Sequence, residues 1–171
     1  MDGVSDVKDL SGMSEAVLAQ AIEFCVQQVH LDSSQTAIDR LRAGDTLVCE
    51  YCNHSVARQV AACLGALDEN IQAAYLCDYD GPTELSCSEE EGRALPIHLI
   101  IRATRKTAAL NAVVETWDRA LTRRYAELVG GRRPARMLDV QVVDNSDVVR
   151  RIGYGAMLSS QQHSPMEVWK R

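Results

Sequence analysis

The chain has 171 residues, 46% of them hydrophobic and 25% charged, with a net charge of −6 at pH 7. That length and composition predict one globular domain with terminal additions. The acidic balance predicts no general affinity for nucleic acid or an anionic membrane, and no apolar run approaches the roughly 20 residues of a membrane span.

Taken in order, the first thirteen residues are polar and predict a frayed end. Asp2, Asp6 and Asp9 stand where a signal peptide would carry basic residues, which predicts a cytoplasmic location. Ser14 is a candidate cap for a helix from Glu15 to Val29. Asp32 or Ser33 caps a second, from Ser34 to Ala43, ended by Gly44. Thr46 to Cys52 reads as a strand, and Asn53 or Ser55 as the cap of a helix running to Leu67. Ile71 to Tyr79 reads as the next strand, followed by Asp80-Gly81-Pro82 and an acidic loop with Glu89, Glu90 and Glu91.

The stretch from Pro96 to Val129 organises the rest. Ile97, Leu99, Ile101 and Ala103 alternate with His98, Ile100, Arg102 and Thr104, which gives a strand with one apolar and one mixed face. From Thr107 to Val129, Leu110, Val113, Val114, Trp117, Leu121 and Leu128 recur at steps suited to a buried helical stripe. Gly130-Gly131 ends that helix. Arg136 to Asp144 follows as a strand with Leu138, Val140 and Val142 on one side. Ser146 caps a short helix to Ile152, Gly153-Tyr154-Gly155 interrupts it, and a tail from Ser159 carries Pro165 and Trp169.

The central order β-α-β-β-α-β predicts an α+β fold of the split-βαβ, ferredoxin-like kind. It divides the chain into an N-terminal helical extension (1–44), an α+β core (45–144) and a C-terminal helix and tail (145–171). The alternative is a three-layer, doubly wound α/β fold with a parallel sheet. It requires a crossover helix in the acidic loop, against Gly81, Pro82 and Gly92, and parallel strands are usually apolar on both faces.

In the split arrangement Glu50, His98, Arg102, Asp139 and Gln141 gather on the second face of the sheet. Lys106 joins them from the basic corner Arg102-Ala103-Thr104-Arg105-Lys106-Thr107, where the N-terminus of the long helix favours an anion. Paired arginine and carboxylate are strong, directional partners, and a histidine beside a carboxylate suits proton transfer near neutral pH. An ordinary polar outer face accounts for the same pattern. Cys49-Glu50-Tyr51-Cys52-Asn53-His54 holds a CxxC, but in a strand its cysteines point to opposite faces, and no second ligand set completes a metal site. Of the six cysteines, Cys25 and Cys63 each sit on an apolar helical stripe and are expected to be reduced and buried.

The expectation is therefore a cytoplasmic binding or interaction protein that self-associates as a homodimer. Its polar patch takes a small anionic ligand, and it requires no metal or cofactor. Two alternatives remain open. One is an enzyme acting on an anionic small molecule, with His98 as acid or base. The other is a thiol or metal protein using Cys49 and Cys52.

Overall fold

A computed structural model describes residues 3–77, 96–130, 134–160 and 164–171. The architecture is α+β, with one mixed sheet of four strands and six helices among the described residues. The elements are α1 (Gly3–Val29), α2 (Ser34–Arg42), α3 (Thr46–Leu67), β1 (Ile71–Leu76), β2 (Ile97–Ala103), α4 (Ala108–Val129), β3 (Leu138–Asp144), α5 (Asn145–Arg150), α6 (Tyr154–Leu158) and β4 (Met166–Lys170). They fall into two compact units. The first holds α1, α2, α3 through Val56 and α4 from Glu115; the second holds the rest of α3 and α4, the whole sheet, α5 and α6.

The ferredoxin-like order is not what the sheet adopts. Its strand order is β3-β2-β1-β4, because the segment Thr46–Cys52 is helical instead of extended. Asp45 starts α3, its carboxylate accepting from the Val48 N–H at 3.1 Å and its carbonyl from the Cys49 N–H at 2.9 Å. Val48, Cys49 and Cys52 are buried while Glu50 between them is exposed, which strand alternation does not allow, and the burial continues through Val56, Val60 and Leu64 as one helical stripe. The alternative parallel sheet does not form either: β2 and β3 are parallel, while β1 runs antiparallel to both β2 and β4.

The N-terminal helix begins at Gly3, ahead of the cap expected at Ser14. Ser14 is wholly buried inside α1. Its hydroxyl donates to the Ser11 carbonyl at 2.9 Å, the back-bonding available to a serine within a helix. Ser33 does cap α2, accepting from the Thr36 N–H at 3.2 Å.

In the second unit the central strand behaves as its alternation requires. Ile97, Leu99, Ile101 and Ala103 are all buried. The other face is covered in its middle: Ile100, Cys77 and Val143 form a buried cluster, against which Tyr75, Val148, Met157 and Leu158 pack. The α5–α6 hairpin is what brings Val148, Met157 and Leu158 there. Gly155 lets α6 cross α5 closely, since a Cβ at that position would come within 2.5 Å of the Asp147 carbonyl group. The interruption at Gly153-Tyr154-Gly155 thus answers to backbone packing.

β4 falls in the segment read as a tail. It pairs antiparallel with β1, with a bulge at Ala74/Tyr75. Arg171 follows it, donating to the carbonyls of Gly65, Asp68 and Ile71, so it caps the end of α3 with side-chain donors. On α4, Leu110, Val114, Trp117 and Leu121 are buried as expected. Leu128 is exposed, and Val129 is buried in its place. The acidic loop and Arg132-Arg133 lie outside the described residues.

Candidate functional site

Parallel pairing of β2 with β3 sets His98 directly beside Asp139 and Ile100 beside Gln141. The His98 Nδ1 lies 3.1 Å from Asp139 Oδ2, and Gln141 Nε2 donates to Asp139 Oδ1 at 3.2 Å. Asp139 therefore has one oxygen on the imidazole and one on the amide, which fixes its plane. The histidine side chain is 41% exposed and the aspartate 26%, so the pair is open to solvent from one side. Three of the expected site residues, His98, Asp139 and Gln141, form one cluster.

Arg102 stands further along the same face of β2. Its Nε and Nη2 donate to Asn145 Oδ1 at 3.1 and 3.0 Å. It is half-buried, and among the described residues no carboxylate lies within ion-pair distance of it. It pairs with neither Glu50 nor Asp139. Arg102 lies four positions along the strand from His98, about 13 Å at the usual rise. Ile100 and the α5–α6 hairpin fill the space between them. The expected single patch is in fact two, parted by an apolar plug.

Lys106 belongs to the Arg102 end and is already engaged. Its Nζ lies 2.6 Å from Asp147 Oδ2. That contact, first a hydrogen bond and then a Coulomb attraction, raises the ammonium pKa and lowers the carboxyl pKa. Asp147 also closes a capping box with Asp144 at the start of α5: the Asp147 N–H donates to Asp144 Oδ1 at 3.0 Å, and the Asp144 N–H to Asp147 Oδ2 at 3.1 Å. One carboxylate thus ties the β2–α4 corner to α5. Thr107 caps α4, its Oγ1 accepting from the Leu110 N–H at 3.1 Å. Arg105 is exposed at the same corner.

Glu50 is not on the sheet. It is an exposed residue of α3, in the first unit. Its strand assignment fell with that of Thr46–Cys52.

The CxxC also changes character on a helix. Three residues apart on α3, Cys49 and Cys52 are both buried, with Cys25 of α1 beside them. The Cys25 Sγ donates to the Val48 carbonyl at 3.4 Å. A hydrogen bond with Cys25 and burial both hold the Cys52 thiol well above its ordinary pKa. Burial, followed by the Asp45 charge, pushes Cys49 up to about 11. Such thiols are protonated near neutral pH and poor nucleophiles. His54 stacks on Phe24 with ring centroids 6.3 Å apart. Among the described residues, no group of three or more His, Cys, Asp and Glu is arranged to hold a metal ion. Cys63 is only half-buried, a departure from its stripe expectation.

Asn145 and Asp147, which hold Arg102 and Lys106, were missed by the sequence reading. Their signal was the pair of acidic and amide residues in Asp144-Asn145-Ser146-Asp147, directly after a strand. Comparison with known protein families, curated proteins and solved structures finds no match. Among the described residues, no helix is long and apolar enough to cross a membrane.

Proposed function

We propose that this chain is a binding protein for a small anion, anchored by Arg102 at the carboxyl ends of β2 and β3. The observation that carries the reading is the partner of Arg102: a neutral amide oxygen, with no carboxylate among the described residues to balance the guanidinium. A half-buried cation held in place by an uncharged group is ready for a carboxylate or phosphate to pair with it. The setting adds support. β2, α4 and β3 make a parallel β-α-β unit, whose carboxyl end is where ligands bind in such units. The positive end of the α4 dipole favours negative charge at the same corner. Lys106, held by Asp147, takes a supporting electrostatic part.

The chain self-associates as a homodimer and works in the cytoplasm. The free thiols of Cys25, Cys49, Cys52 and Cys63 suit a reducing compartment. A second reading, a proton-transfer enzyme, is favoured by one observation: the Asp139 carboxylate oriented on His98, the arrangement of a general base.

Thermal-shift and calorimetric titration with inorganic phosphate and with succinate test the first reading. An anion should raise the melting temperature of the wild type. Arg102→Gln should weaken that binding by about 1.5–3 kcal/mol, the worth of hydrogen bonds to a charged group, while His98→Gln leaves it intact. Equal binding by wild type and Arg102→Gln would remove Arg102 as the anchor.

A further inference from the structure

The two edges of the sheet are built differently. β4, at one edge, is short. It carries Glu167 and Lys170 exposed, and its pairing with β1 is broken by a bulge. Short length, edge charge and bulges are the means by which proteins stop an edge from recruiting another strand. β3, at the other edge of the described sheet, has neither the short length nor the bulge. It is seven residues long, pairs with β2 residue for residue without a register shift, and contains no lysine, arginine or proline. Its two charges are engaged, Asp139 by His98 and Gln141, and Asp144 by the α5 cap.

Two apolar side chains of β3 are also incompletely covered. Val140 and Val142 lie in register with Leu99 and Ile101, which are wholly buried, yet both valines remain part-exposed. The Asp144 N–H turns away from β2 toward Asp147. By strand alternation the N–H and C=O groups of Val142 and Val140 turn the same way.

We infer that β3 pairs antiparallel with β3 of a second copy, in a two-fold arrangement centred on Gln141, so that one continuous sheet runs through the dimer. The sequence Leu138-Asp139-Val140-Gln141-Val142-Val143-Asp144 is self-complementary in that register. Val140 faces Val142 of the second copy in a hydrogen-bonded pair, and Asp139 faces Val143. Leu138 faces Asp144, and Gln141 faces its own counterpart. No like charges meet, and the outward main-chain groups of both valines are satisfied. Shifting the axis to Asp139 would oppose two carboxylates, which cross-strand pairing disfavours. The inference rests on the self-association named above, and it adds the surface.

The test uses the full chain in analytical ultracentrifugation. The wild type should sediment as a dimer. Gln141→Lys should sediment as a monomer with an unchanged circular dichroism spectrum, because two ammonium groups would face each other in the dimer while Asp139 accommodates each one in the monomer. Gln141→Cys should cross-link under mild oxidation, since non-hydrogen-bonded antiparallel partners lie about 4.5 Å apart at Cα and disulfides span about 4.4–6.8 Å. A monomeric wild type overturns both self-association and this surface. A dimer that survives Gln141→Lys, or whose Gln141→Cys form does not cross-link, overturns the surface alone. Neither result bears on anion binding by Arg102, which is read separately.

Discussion

Gly65 lies within α3, and replacing a mid-helix glycine by alanine ordinarily stabilises a protein by about 0.5–1 kcal/mol. Here the opposite is expected. A Cβ at Gly65 would overlap the indole of Trp169, with Cζ3 only 2.9 Å away. The ring cannot shift alone. It belongs to β4, and the guanidinium of Arg171, 5.8 Å from the ring centroid, is tied to the carbonyls of Gly65, Asp68 and Ile71. Overpacking of this kind costs about 1–3 kcal/mol, which exceeds the propensity gain and leaves Gly65→Ala less stable by about 1–2 kcal/mol. Urea unfolding followed by circular dichroism measures it, in a cycle with Trp169→Ala. With the indole gone the alanine should show its ordinary benefit, so the two changes couple by roughly 2 kcal/mol, within the range for residues in contact. If Gly65→Ala stabilises the wild type as much as it stabilises Trp169→Ala, β4 is not docked on α3 as described.

Trp117 is wholly buried, and its Nε1 has no hydrogen-bond partner among the described residues. Trp117→Ala should cost about 3–5 kcal/mol, and Trp117→Phe distinctly less, because it also removes an unsatisfied donor; an unchanged melting temperature for the alanine variant would place the wrong face of α4 inward. Asp147 is held below its ordinary pKa first by the hydrogen bond from Lys106 and then by the Asp144 N–H. The unfolded chain therefore takes up the proton first, so the contribution is full above the unfolded carboxyl pKa and is lost as pH falls through the lower folded value. With the Lys106 side chain 47% exposed, it amounts to about 0–1 kcal/mol, and Asp147→Asn should flatten that part of the acid limb of unfolding free energy against pH; an identical limb in both proteins would contradict the pairing. Among the described cysteines, Cys63 should react with a maleimide before Cys25, Cys49 and Cys52, as peptide mass mapping would read; labelling of Cys25 or Cys52 at the rate of Cys63 would mean that the α1–α3 packing is open.

The β2-α4-β3 unit was determined by local sequence. Its strands alternate cleanly and its helix has a stripe long enough that one period fits and the other does not. The parity that set His98, Asp139 and Gln141 on one face came from the same source, since side-chain direction in a strand is fixed by odd and even position. Thr46–Cys52 was ambiguous for a physical reason. Seven residues rich in apolar and β-branched side chains satisfy either period, and only their continuation through Val56, Val60 and Leu64, with Asp45 as cap, selects the helix. Tertiary structure decided the rest. Once that segment left the sheet, β3 docked directly on β2, and this contact made the His98–Asp139 pair. Likewise β4 exists because β1 offers it an edge and Gly65 leaves room for Trp169; five residues after Pro165 hold no period of their own. The division of the polar face is equally non-local: Ile100 is a plain core residue in sequence. It separates Arg102 from His98 only because α5 and α6 fold back to bury it, an event set by Gly155 and by side chains more than forty residues further along the chain.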